Sequence, residues 1–346
     1  MPGQLICTED THRLFRGRFQ CASLGQQNIK GAAGSVELFR VDGIATRASL
    51  MDTPSPTELS PLTGRDHEMS LLKDRWEQAQ EGMGQIVLLF GEPGLGKSRL
   101  VDTLKEYVQV GGTEGAADPP VIEWRCSSYF QNTGLYPAIN FFERTLDYRR
   151  EDSPATRFDR LLERLEQDDM ARPEVVPLWA SLLSLPATDR FPPLSLSPAR
   201  QREETFRALI EWLQNCAARR PILFVVEDLH WVDASTVEFL GQLIAEGMHD
   251  RILTVLTSRP EFKPPWPAVA HQTNLPLNRL TRRQAGDLMR KKSGGALSET
   301  LIEQVYDRTG GVPLFVEEFT KMVQESRPAS GTGVANTPVL AAHEIP

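Results

Sequence analysis

The stretch "QIVLLFGEPGLGKSRLVDTLKEYV", residues 85–108, constrains this chain more than any other. It holds Gly91-x-x-x-x-Gly96-Lys97-Ser98 between a continuous apolar run and an amphipathic one. Glycines let backbone N–H groups converge on one small anion, because a Cβ would block the approach or the φ that the turn needs. The helix that follows adds the positive end of its dipole. In such a loop, Gly91, Glu92, Pro93, Gly94, Leu95, Gly96, Lys97, Ser98 and Arg99 form the cradle. Lys97 bridges the terminal phosphates and the Ser98 hydroxyl ligates Mg²⁺. A solvated lysine on a surface turn would need neither the buried strand before it nor the helix after it.

The rest of the chain alternates in the same way, which predicts an α/β domain. "DHEMSLLKDRWEQA" puts Met69, Leu72, Trp76 and Ala79 on one helical face. "VIEWRC", "PILFVVED" and "RILTVLTSR" read as further strands, and "ETFRALIEWLQNCA" and "DASTVEFLGQLIAEGM" as helices, the latter capped by Asp233. After "TNLPLNRL" the pattern turns helical: Thr281 and Gln284 fit a capping box, a second helix spans about 298–309, and a third starts at Pro313. The expected layout is residues 1–42 as a short mixed segment, 43–62 as a linker, 63–277 as the core with 127–200 inserted, 278–325 as a small helical lid, and 326–346 as a loose tail.

A triphosphate site also needs acids on a neighbouring strand. Glu227 and Asp228 close "ILFVVED", at the strand end where open α/β sheets place ligands. One acid holds the metal and the other polarises the attacking water. Spacing leaves the division open, with a lean toward Glu227 for metal and Asp228 for water. Ser258 and Arg259 end the next strand, where they face the same phosphate. Trp231 reads as a core residue, and His230 follows the acids.

Composition narrows the partners. The net charge of −8 gives no general drive toward nucleic acid or anionic lipid. No apolar run is long enough to span a bilayer. The four cysteines form no C-x-x-C, and the six histidines show no zinc spacing. A cytoplasmic protein is expected.

"GRDHEMSLLKDRW", "GEPGLGKSRL", "FVVEDLHWVDAST", "LTSRPEF" and "TGGVPLFVEEFTKMV" occur in the order seen in signal-transduction ATPases with numerous domains. These form an AAA-related branch of the P-loop NTPases, and the resemblance covers roughly residues 60–325. It is greatest to the ATPase module that follows the cyclase domain in bacterial adenylyl/guanylyl cyclase-like proteins, with a layout similar to that of soluble adenylyl cyclase. The resemblance implies a three-layer α/β/α core with a parallel sheet, binding ATP and Mg²⁺. It also implies that Gly64 and Arg65 lie near the base or ribose and that Pro313 on the lid touches the adenine. Residues 1–42 resemble the last third of a class III nucleotide cyclase domain, a short α+β remnant whose catalytic residues would lie upstream. A fragment or split-gene product is therefore expected, without cyclase activity of its own. Implied partners are ATP or ADP and cyclase and repeat domains, with no membrane. Self-association stays open. The alternative is an origin-recognition-like AAA ATPase acting on DNA, for which "TRRQAGDLMRKK" offers a basic helix.

Overall fold

The computed structural model describes residues 5–14, 19–28, 35–44, 62–110, 121–149, 151–246, 250–294 and 297–325. Nearly all of the linker and the whole C-terminal tail read from sequence lie outside these residues. The chain divides into two units, Met1–Pro61 and Leu62–Pro346.

The first unit contains β1 (Leu5–Thr8), α1 (Glu9–Leu14), β2 (Phe19–Asn28) and β3 (Ser35–Ile44). The strands form an antiparallel sheet in the order β1-β3-β2. The alternating "SVELFRV" thus becomes the central strand, pairing on both sides. It runs on to Ile44, two residues into the predicted linker.

The second unit is built on five parallel strands: β4 (Gln85–Phe90), β5 (Val121–Arg125), β6 (Ile222–Glu227), β7 (Ile252–Ser258) and β8 (Gln272–Pro276). Their order is β5-β6-β7-β4-β8. Strand side chains alternate between faces, and two cores follow from that alternation. Val87, Leu89, Leu223, Val225, Leu253 and Val255 pack under α2 (Asp66–Gln80) and α3 (Lys97–Val110). Ile86, Leu88, Trp124, Phe224, Val226 and Leu256 face the other way. Against them pack α4 (Tyr136–Thr145), α5 (Pro154–Gln167), α6 (Val176–Leu182), α7 (Pro198–Arg219) and α8 (Ala234–Glu246). Residues 127–200 therefore share the sheet's own core. Phe142 makes edge contacts with Trp179 and Trp212, with ring centroids 4.5 and 4.9 Å apart.

Three short helices complete the unit: α9 (Arg282–Ser293), α10 (Glu299–Thr309) and α11 (Pro313–Glu325). They enclose a small apolar cluster that includes Leu288, Ile302, Val305 and Val316. Thr281 and Gln284 make the expected capping box.

One strand escaped the sequence pattern. "QTNLP", to which the sequence pattern assigns no element, is the edge strand β8, hydrogen-bonded to β4. Only Leu275 of its five residues is buried, so the apolar signal of the central strands is missing. Pro276 is tolerated because an edge strand leaves one row of backbone groups unpaired.

Candidate functional site

Parallel strands bring all their C-terminal ends to one edge of the sheet, and the sequence-predicted residues gather there. β4 ends at Phe90 and the glycine loop turns the chain into α3. Gly94 and Gly96 take φ of +78° and +89°, conformations that L side chains rarely adopt. Gly91 donates its N–H to Ser258 O at 3.3 Å, which fastens the loop to the end of β7. Leu95 is buried, Glu92 and Pro93 are exposed, and Ser98 lies exposed in the first turn of α3 beside Arg99.

Lys97 folds back over this loop, donating from Nζ to Gly91 O at 2.7 Å and Glu92 O at 3.0 Å. Burial pulls its pKa down, and the nearby Asp228 carboxylate opposes that shift. Arg259 and Glu261 act on the same ammonium. Lys97, Asp228 and Arg259 thus share one electrostatic neighbourhood.

The two acids point to different surroundings. Glu227 is the last residue of β6, on the face that α3 covers, with its side chain 8% exposed. Burial raises its carboxyl pKa, against the pull of Lys105 and Arg125. Asp228 follows with φ +61° and ψ +47°. The left-handed region costs a non-glycine residue about 1–2 kcal/mol, and such strain collects at functional sites. The Asp228 N–H is held by Thr257 Oγ1 at 3.0 Å. His230 Nδ1 lies 4.0 Å from Asp228 Oδ1. His230 is tilted on Trp231, which packs against the core and also carries the Arg259 guanidinium 5.4 Å from its ring centre.

Four buried polar atoms at these strand ends have no hydrogen-bond partner among the described residues: Glu227 Oε1, Ser258 Oγ and both ring nitrogens of His230. Unpartnered buried groups are costly, so their concentration beside a glycine loop suits a polar ligand. Mg²⁺ characteristically takes one or two carboxylates and completes its shell with phosphates and water. The donors here, an exposed serine hydroxyl and two acids, fit that chemistry. Among the described residues no three His, Cys, Asp or Glu side chains form a separate metal cluster.

The segment of the three C-terminal helices sits directly on the loop. Leu314 N donates to Gly94 O at 3.2 Å, one residue after Pro313, and Val312 belongs to the apolar core beneath β4. Arg279 pairs with Glu92 at 2.8 Å. Gln284 Nε2 reaches Gly64 O at 3.0 Å, and a Cβ on Gly64 would come within 2.8 Å of the Gln284 side chain. Arg65 is buried, donating to Leu95 O at 3.1 Å, Asn278 O at 2.6 Å and Glu68 Oε1 at 2.9 Å. The contacts at Gly94, Glu92, Gly64 and Arg65 thus join residues 278–314 to the core in addition to the "LPLNRL" connection.

Two features went unnoticed in the sequence. The Arg65 bridge joins segments 30 and 213 residues away, which no local pattern reports. Lys105 lies within the buried stripe of α3, where a lysine reads as solvent-facing.

Residues 61–255 match the family model described as AAA ATPase domain. An uncharacterized protein of Rhizobium meliloti (strain 1021) is 25% identical over 330 residues, which is 94% of this chain. The chain spans 31% of that relative's length. Among solved structures, a Signal Transduction ATPase with Numerous Domains with a tetratricopeptide repeat sensor, from Pyrococcus horikoshii, overlays with a TM-score of 0.43 at 17% identity. The overlay covers 81% of this chain and 33% of that one. No helix among the described residues is long and apolar enough to cross a membrane.

Proposed function

The chain belongs to the AAA ATPase domain family, and from that premise we propose that it is a nucleotide switch that binds Mg²⁺–ATP and hydrolyses it slowly. One observation carries the reading: the lid rests on the phosphate loop itself, through Leu314 N to Gly94 O. A ligand that reshapes the loop therefore acts on the lid's seat. It shifts the lid only through different affinity for its two placements, and about 1–3 kcal/mol is typical of such coupling.

In this reading the loop N–H groups and Lys97 hold the phosphates, while Ser98 and Glu227 hold Mg²⁺. Asp228 orients the attacking water, and Arg259 with Ser258 faces the terminal phosphate. Bound metal would neutralise charge on the phosphates. Gly64, Arg65 and Pro313 line the side where the resemblance puts the base. Lys97 has a part to play in turning away from Gly91 O and Glu92 O toward phosphate. The assignment of Glu227 to metal is supported by its unpartnered oxygen on the face of α3, the helix that carries Ser98. Asp228, beside Lys97 and His230, suits the water.

The signalling context rests on the motif order. We read the first unit as a cyclase-domain remnant in a cytoplasmic signalling protein, supported by the antiparallel setting of "SVELFRV" alone. Purified protein is expected to form neither cAMP nor cGMP. The DNA-acting alternative gains less support. On α9, Arg282 pairs with Glu303, Arg290 with Asp287 and Glu299, and Lys292 with Glu317. The test of the proposal is titration with a fluorescent ATP analogue, with and without Mg²⁺. A chain that binds no nucleotide would refute it.

A further inference from the structure

Lys105 occupies the stripe of α3 formed by Leu100, Val101, Leu104 and Val108, and only 7% of its side chain is exposed. A leucine would fill such a position at less cost, because a buried ammonium must be paired. Three carboxylates surround it. Glu123 Oε2 accepts its hydrogen bond at 2.8 Å and Asp102 Oδ1 at 3.2 Å, while Glu227 Oε1 lies 3.9 Å away. On the other side of Glu227, Arg125 Nε lies 3.8 Å from Oε2 and is itself bonded to Glu123. Register explains the grouping: Arg125 pairs with Glu227 across β5 and β6, and Glu123 shares their α3-facing side of the sheet with Glu227.

We propose that Lys105 is a positioning residue for Glu227: anchored on Glu123 and Asp102, its ammonium holds the acid between two cations and fixes the orientation of its carboxylate. This rests on the reading of the site as one for Mg²⁺ and a nucleotide. Glu227 Oε1 has no hydrogen bond of its own. Among the described residues, the charged partners of its carboxylate are Lys105 and Arg125. Without Lys105 the carboxylate turns to Arg125, the cation that remains, and its orientation changes. Supporting partners of metal ligands commonly contribute ten- to a hundred-fold in metal affinity, and Lys105 is such a partner.

The experiment compares the full chain with Lys105→Met, Lys105→Arg and Glu123→Gln. Affinity for a fluorescent ATP analogue is measured in EDTA and again across a Mg²⁺ titration. Lys105→Met is expected to keep its affinity in EDTA within about twofold while the Mg²⁺ half-saturation point rises about tenfold. Lys105→Arg should restore most of the loss, and Glu123→Gln, which loosens the anchor, should move the same way by less. An equal loss in both buffers means packing alone and overturns the proposal, as does an unchanged Mg²⁺ response. If Lys105→Met does not fold, Glu123→Gln decides, and an unaltered Mg²⁺ response there overturns it. A wild-type chain that binds in neither buffer fails the site reading itself, which a shifted Mg²⁺ response in a variant cannot do.

Discussion

Replacing Arg65 by alanine tests whether phosphate loop and lid connection are held as one piece. The guanidinium bridges Leu95 O on the loop and Asn278 O beyond β8, and is steadied by Glu68. Its side chain is 6% exposed and that of Glu68 16%, so water cannot fully replace the lost donors. A hydrogen bond from a charged group contributes about 1.5–3 kcal/mol, and breaking a buried ion pair costs about 3–5 kcal/mol. These overlap, so we take about 3 kcal/mol for the whole change. At roughly 2–4 °C per kcal/mol for domains of this size, the melting midpoint should fall by about 6–12 °C. Thermal unfolding followed by circular dichroism, with ATP-analogue titration alongside, reads both consequences. Arg65→Lys should recover only part, since a single ammonium cannot fork to two carbonyls. A midpoint within about 2 °C of wild type, with normal affinity, would refute the bridge.

Other perturbations reach the site's remaining parts. Lys97→Ala should weaken Mg²⁺–ATP binding roughly ten- to more than a hundred-fold, as loss of a charge-assisted phosphate contact implies; unchanged affinity in the same titration would count against the phosphate loop. Gly311 has φ +74°, and a Cβ there would lie 2.3 Å from Leu280 O. Gly311→Ala should therefore unseat the lid, and hydrogen exchange should quicken across 281–325 while β4 and β7 keep their protection. Burial raises the Glu227 pKa, so the folded state keeps that proton to a higher pH than the unfolded chain. The stability this gives is complete below the unfolded value near 4.5 and is lost as pH rises through the folded value. Glu227→Gln, always neutral, should therefore melt higher than wild type at pH 8, by a margin that shrinks toward pH 5. A margin constant with pH would contradict the assignment.

The order of strands and helices was legible because buried parallel strands are continuous apolar runs and the covering helices are amphipathic. Met69, Leu72, Trp76 and Ala79, placed on one face by periodicity, are all buried. The glycine loop was legible because its chemistry is local. What the sequence hid depends on distant chain segments. β8 lacks an apolar signal because it is an edge. Lys105 looks like a surface lysine until Glu123 and Glu227 are brought beside it by β5 and β6. Arg65 and Gly64 carry no mark of their contacts with Asn278 and Gln284. The seat of the lid on Gly94 likewise needs the fold, since Leu314 follows 220 residues later.

Hydrogen exchange of residues 281–325 with and without Mg²⁺–ATP tests the switch most directly, with steady-state turnover measured on the same sample. Mg²⁺–ATP is expected to change lid exchange toward protection, with turnover of about one per minute or slower without a partner, as in unassisted nucleotide switches. Asp228→Asn should keep the change in exchange while lowering turnover further. Lid exchange identical in the two conditions, or fast turnover by the isolated chain, would contradict it.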